Sequence, residues 1–178
     1  KGSLGVLRRM YELGVRMMTL TWNHDNELAA PQANPGGPLA AQTQRGLTET
    51  GFAFLAEMER LHMIVDVSHL SDRGFWDIVE HGTRPFAASH SNCRALFPHT
   101  RNLTDAMIRA LAEKGGIAGL NYYAAFLDTD PAHPEACRST VERIAEHAAH
   151  YKQVGGIGVL ALGSDFDGID GHHQLETA

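Results

Sequence analysis

Cysteine is scarce in this chain: 178 residues hold only Cys93 and Cys137, with no C-x-x-C spacing. That count excludes a disulfide-stapled scaffold. Long apolar runs are missing as well, none approaching the ~18 residues that a membrane-spanning helix takes. Positive charge is in deficit, with 15 Lys and Arg against 21 Asp and Glu for a formal net charge of -6. That balance disfavours a nucleic-acid binder. Low-complexity tracts and short repeats are absent. Lys1-Gly2-Ser3-Leu4 enters an amphipathic pattern directly, without the charged and apolar stretches of a leader. What the chain does have is 43% hydrophobic residues, enough to build a core and to exclude disorder, in a length that suits one domain. It also has eleven histidines.

Apolar periodicity alternates between helical spacing and short apolar runs. Helices are expected at 4–13, capped by Ser3 and stopped by Gly14; from Thr48, with Phe52, Leu55 and Met58 inward; and after Ser71 or Asp72, carrying Phe75, Ile78 and Val79. Further helices are expected after Thr104, with Ile108 and Leu111 inside, and from about Ser139 to Gln153, burying Val141, Ile144 and Ala148. Strands are expected at Val15–Thr21, Met63–Val67, Pro85–Ser89, Ile117–Tyr122 and Ile157–Leu162. Strand–helix alternation of this kind predicts an α/β fold with a parallel sheet and right-handed crossovers. The polar stretch from Trp22 to Arg45 is too long for a plain connector, which suggests a functional loop.

The polar residues that follow the strands carry the functional signal. The first strand runs into Trp22-Asn23-His24-Asp25, the second into Ser68-His69, and the third into Ser89-His90-Ser91-Asn92. The fourth leads to Asn121-Tyr122-Tyr123 and the fifth to Ser164-Asp165-Phe166-Asp167-Gly168. Parallel α/β folds bind ligands at the carboxyl ends of their strands. A lone histidine there is usually a hydrogen-bonded loop residue. Two at equivalent positions of successive strands, with an aspartate after a third, match the imidazole and carboxylate donors of a catalytic zinc site. Arg94 and Arg101 follow the third strand; each reads either as surface charge or as a fork for a substrate carboxylate. His62, His81, His99, His133, His147, His150, His172 and His173 read as solvated or structural. Cys93 leaves a thiol nucleophile open against the commoner role of a small buried residue.

Other motifs fail. Asp165-Phe166-Asp167-Gly168-Ile169-Asp170 begins like a calcium loop, but Ile169 and Asp170 stand where a ligand and a glycine are needed. No G-x-S-x-G elbow, H-E-x-x-H, P-loop or G-x-G-x-x-G is present.

The segments "LGVLRRMYELGVRMMTLTWNHDNELA", "RLHMIVDVSHLSDRGFWDIVE", "ASHSNCRAL", "RNLTDAMIRALAEKGG" and "LGSDFDGID" resemble the membrane (renal) dipeptidase family, peptidase family M19. The resemblance runs from Leu4 to about Glu176. It implies a distorted TIM-like (β/α)8 barrel of the metal-dependent hydrolase type, two zinc ions in the complete protein, and hydrolysis of dipeptides, including those with a C-terminal D-residue. Some members of the family also open β-lactams. Residue by residue, His69 and His90 would ligate the second zinc. Asp165 would take a proton from the bridging water and pass it to the leaving amine, and Arg101 would hold the substrate's carboxylate. Trp22 stands where some members have a carbonyl-polarising histidine, so Asn23 or His24 would take that role. Trp22, His24 and Tyr123 complete the expected substrate-binding set.

The family's H-x-D pair and bridging glutamate belong to strands that precede Leu4. The resemblance therefore implies strands four to eight of a barrel, a single partial domain over 1–178 truncated at both ends, and a segment inactive by itself. The expected partners are small dipeptides, with no nucleic acid and no membrane span in this segment; a homodimer is compatible with the resemblance. The lack of paired cysteines points to a bacterial-type, cytoplasmic protein. The rival readings are a non-catalytic piece or pseudoenzyme with an incomplete metal site, and another amidohydrolase-like amidase or lactonase.

Overall fold

A computed structural model describes residues 2–32, 45–128 and 139–169. Cys137, His133, His172, His173 and residues 33–44 of the polar stretch at 22–45 lie outside these residues.

Five strands form one sheet in the order of their occurrence, every pair parallel: β1 (Met17–Thr19), β2 (Ile64–Asp66), β3 (Ala87–Ala88), β4 (Ile117–Leu120) and β5 (Leu160–Leu162). Helix α1 (Leu4–Glu12) precedes the sheet, and α2 (Glu49–Arg60), α3 (Asp72–His81) and α4 (Asp105–Glu113) are the first three crossovers. The fourth crossover holds α5 (Ala124–Leu127), α6 (Val141–Gly155) and a 3-10 turn at Ile157–Val159. A strand order without reversal means that each right-handed crossover advances the sheet in the same direction, so the helices gather on one face. A doubly wound sheet reverses; a barrel does not.

Register assigns the faces. Val65, Ala88, Ala118 and Leu120 are buried in the core with Phe54, Met58, Phe75, Ile78, Ile108 and Leu111 of the helices. Alternation sends Thr19, Asp66 and Ser89 to the opposite face, together with Met17, Ile64 and Ile117, whose apolar side chains are exposed.

The caps account for the helix starts. The side chains of Thr48, Ser71, Thr104 and Thr140 accept hydrogen bonds from the backbone N–H of Gly51, Gly74, Met107 and Arg143. Ser3 holds an extended N-cap conformation but its side chain accepts no such bond. Gly14, at φ 103°, ends α1's approach to β1 in a conformation that L side chains rarely adopt.

The strands are shorter than the apolar runs that contain them, and β3 shows why. The N–H of Ser89, next in line for the ladder, donates instead to the Asp66 carboxylate at 2.9 Å. Helix α6 also departs from expectation. It spans Val141–Gly155, and Val141 is 58% exposed. Its buried residues are His147 and Tyr151, one turn apart, and the Tyr151 hydroxyl donates to the Ser91 carbonyl at 2.7 Å. Polar tips on an inward face hide such a helix from a reading based on apolar spacing. Phe52, expected inward, is half-buried and packs edge-on against His81.

Candidate active site

The loops that leave β1, β2, β3 and β5 meet at one end of the sheet. His69 follows β2 and His90 follows β3. Their Nε2 atoms lie 2.9 Å apart, with the rings edge to face at 4.9 Å between centroids. The other nitrogen of each ring is already committed. His69 Nδ1 lies 3.1 Å from Asn23 Oδ1, an amide oxygen that only accepts, so Nδ1 carries the hydrogen. His90 Nδ1 lies 2.7 Å from Ser89 Oγ. A hydrogen bond between the two Nε2 atoms would need one ring protonated, and the surroundings oppose that. Burial pushes His69 down to about 3, reinforced by Arg101 and His90 against the pull of Asp66. Burial and Arg101 lower His90 as well, against Asp165, Asp66 and Asp167. Two neutral imidazoles therefore turn bare Nε2 lone pairs toward each other, an arrangement that suits a shared or neighbouring cation. Among the described residues no third His, Cys, Asp or Glu joins them in a cluster.

Arg101 is 5% exposed. Its Nε donates to the Ser68 carbonyl at 2.8 Å, its guanidinium lies 5.2 Å from the Phe126 ring centre, and its Nη2 is buried without a partner among the described residues. It makes no ion pair among the described residues. Burial lowers its pKa to about 10 against the nearby Asp165 and Asp66, so it stays cationic at neutral pH. Arg94 differs: it grips both Asp72 carboxylate oxygens at 2.7 and 2.8 Å, and the carbonyls of Asn102 and Thr100. That fork is already occupied, so Arg94 is a brace and Arg101 is the free cation of the pair considered from sequence.

Asp165, after β5, adopts φ 71°, and its Oδ2 accepts from Asn121 Nδ2 at 2.9 Å. Asn121 is fully buried. It exchanges backbone bonds with the Asn92 side chain at 2.9 and 3.0 Å, and its own Oδ1 accepts from the N–H of Tyr123 at 2.7 Å. Glycines at 119 and 163 let these strand ends close up, because a Cβ on either would overlap the Ser89 carbonyl oxygen.

Two clefts share this end of the sheet. One of about 370 Å³ is lined by Trp22, Asn23, His69, His99, Arg101, Tyr123, Phe126 and Asp165, among others. A second, of about 350 Å³, carries His69, His90 and Asp165 with Thr19 and Trp22. Of the residues expected from sequence, the structure thus brings together His69, His90, Arg101, Asp165, Trp22 and Tyr123. His24 is exposed, sits edge-on to Trp22, and lines neither cleft.

Four further residues at this end have no role assigned from sequence: His99 reads there as solvated or structural, Ser89 and Asn121 are noted only as following strands, and Asp66 is not singled out. His99 lines the first cleft; its Nδ1 accepts the Arg101 backbone N–H at 3.1 Å, and burial, with Arg101 and Arg94, pushes it down to about 4. Asn121 and Ser89 hold Asp165 and His90. Asp66, 3% exposed, lies beneath both histidines. The available signal for Asp66 was a single carboxylate inside the apolar run Met63-Ile64-Val65-Asp66-Val67. Cys93 is buried, its thiol raised by burial, and it contacts His147 rather than either cleft.

Comparison with known proteins places this geometry in context. The sequence model of the membrane dipeptidases (peptidase family M19) matches residues 1–178. An uncharacterized dipeptidase of Schizosaccharomyces pombe is 40% identical over 167 residues, 94% of this chain and 38% of that protein. An uncharacterized Klebsiella pneumoniae protein encoded in the pqqA 5' region is 38% identical over 163 residues, 92% of this chain and 59% of its own length. The chain thus spans less than two thirds of the curated relatives it matches. A crystal structure of a metallopeptidase from Rhodobacter sphaeroides, liganded with a phosphinate mimic of the dipeptide L-Ala-D-Ala, superposes with a TM-score of 0.83 at 33% identity. It covers 94% of this chain and 47% of that one.

Proposed function

The chain belongs to the membrane dipeptidase family, peptidase family M19, and on that premise we propose that it forms the carboxyl-side half of a zinc-dependent dipeptidase site. In this reading the five strands correspond to strands four to eight of a TIM-like barrel. His69 and His90 would hold zinc through Nε2, and the donor set fits, since zinc takes neutral imidazole. When bound, the metal lowers the pKa of its water and polarises a carbonyl oxygen.

The chain's own residues supply the remainder. Asp165, held by Asn121, accepts a proton from the attacking water and returns one to the leaving amine. Arg101 offers a buried guanidinium, without an ion pair among the described residues, to a substrate carboxylate, and a free carboxylate at that spot is what separates a dipeptide from a longer chain. Trp22, His99, Tyr123 and Phe126 wall the space between. The Rhodobacter protein's ligand makes a dipeptide of the L-Ala-D-Ala class the proposed substrate. Two imidazoles are half the ligands of a stable zinc site, so the proposal includes that residues 1–178 alone turn over no substrate.

The observation that carries the reading is the pair of Nε2 lone pairs converging beside a buried arginine that makes no ion pair among the described residues. The test uses the longest open reading frame that carries this sequence, loaded with zinc and given L-Ala-D-Ala, its C-terminal amide, and a lactone. Zinc-dependent cleavage of the free dipeptide, lost on amidation, is expected. No dipeptide cleavage, or a lactone processed far faster, overturns it.

A further inference from the structure

The Asp66 carboxylate accepts five hydrogen bonds from protein donors. Its Oδ1 accepts from Ser68 N at 3.1 Å, Ser68 Oγ at 2.8 Å and Ser89 N at 2.9 Å. Its Oδ2 accepts from Thr19 Oγ1 at 2.6 Å and Ser89 Oγ at 2.7 Å. Burial alone would raise its pKa, but the Ser89 backbone and the hydroxyls of Thr19, Ser89 and Ser68 outweigh it and hold the group below the ordinary carboxylate value. It is an anion, and an anion donates nothing.

Counting hydrogens then fixes the neighbours. Ser89 has one hydroxyl hydrogen, and it goes to Asp66 Oδ2. The same oxygen lies 2.7 Å from His90 Nδ1, so the hydrogen on that line belongs to the imidazole. The reverse assignment would leave Ser89 Oγ and Asp66 Oδ2 as two acceptors 2.7 Å apart with nothing between them. Ser68 also has one hydrogen, with Asp66 Oδ1 at 2.8 Å and Ser89 Oγ at 3.1 Å both within its reach; given to either, it leaves the Ser89 hydrogen on Asp66, and the Ser68 lone pair receives the backbone N–H of His90 at 3.0 Å. Ring and backbone of His90 are thus both suspended from one carboxylate through two serines.

We propose that Asp66, through Ser89, is a positioning residue that locks His90 as the Nδ1–H tautomer and so presents Nε2 as a bare lone pair toward His69. The tautomer follows from the hydrogen count; its use in holding a metal rests on the function proposed above. The hydroxyl serves as an adaptor between the ring and the acid, 2.7 Å from each. A carboxylate behind a ligating histidine fixes the ring and strengthens its donor nitrogen, and removing such a partner typically costs about 10–100-fold in metal affinity.

The experiment reads the tautomer directly, in metal-free protein with 15N-labelled histidine, from long-range proton–nitrogen correlations at a pH where the rings are neutral. His90 is expected to show a protonated Nδ1 and an unprotonated Nε2. Ser89→Ala is expected to move the proton to Nε2 in a large fraction of molecules, and Ser89→Thr to restore the wild-type pattern. Cobalt(II) titration of the same proteins should show a tenfold or greater loss for Ser89→Ala and recovery for Ser89→Thr. Asp66→Asn, if it folds, should resemble Ser89→Ala. A wild-type His90 with its proton on Nε2, or a Ser89→Ala variant with an unchanged tautomer, overturns the lock. A shifted tautomer with unchanged cobalt affinity upholds the lock and overturns its use in holding a metal.

Discussion

Arg101 shows at the scale of one residue how stability and function pull apart. A buried guanidinium with an unpaired Nη2 and no carboxylate partner among the described residues costs folding energy. Replacing such a charge with an apolar side chain of similar length should relieve that cost. Arg101→Met is therefore expected to hold or raise the thermal midpoint while raising KM for dipeptides far more than it lowers kcat. A midpoint that drops by several degrees with KM unchanged would show that the arginine is a structural brace like Arg94. The residues that gather at the strand ends were legible in the sequence because each follows an apolar run in the same way: His69, His90, Asp165, and Arg101 a loop further on. Asp66 was not, since a carboxylate within a strand run shows neither which face it takes nor that two serines will reach it. Asn121 was visible as a strand-end residue but its role was not, because its partners Asn92 and Asp165 are 29 and 44 residues away.

The elements were legible in kind and order, and less so in extent. Runs such as Val15–Thr21 set where a strand lies, but its hydrogen-bonded length depends on what competes for the backbone. At β3 the Asp66 carboxylate takes the N–H of Ser89. Close approach at the ends of β3, β4 and β5 is another tertiary fact, resting on Gly119 and Gly163. Gly119→Ala is expected to cost about 1–3 kcal/mol in a urea melt, because the new methyl meets backbone rather than a side chain that can swing away. A loss below about 0.5 kcal/mol would contradict that close packing.

Helix α6 carries a pH dependence of its own. His147 is fully buried, its Nδ1 accepts the Cys93 N–H at 3.0 Å, and burial pushes it down to about 4, with Arg143 and His150 adding to the effect against the Leu127 backbone and Glu146. Its folded pKa lies below the ordinary 6.5, so between those values the unfolded chain binds the extra proton. The stability from this group is complete above about pH 6.5 and falls as pH drops toward 4. His147→Gln keeps an acceptor for Cys93 without that proton. Between pH 7 and 5 it is expected to lose about 1–2 kcal/mol less stability than the wild type. Parallel pH profiles for the two proteins would contradict the assignment.

At the scale of the whole molecule, a sheet that advances in one direction collects its helices on one face and its polar residues at one end. The face away from the helices keeps Met17, Ile64 and Ile117 exposed, while Asp66 and Ser89 stand above them beneath the two histidines. Among the described residues no helix is long and apolar enough to cross a membrane. The family, the parallel α/β architecture and the clustering of His69, His90, Arg101 and Asp165 agree with one another, and the proposed chemistry depends on where a metal would sit. Zinc-edge anomalous diffraction from crystals soaked in saturating zinc tests that position most directly. The expected result is an anomalous peak about 2.0–2.1 Å from Nε2 of both His69 and His90. A peak only at other side chains, or none at all, would contradict it.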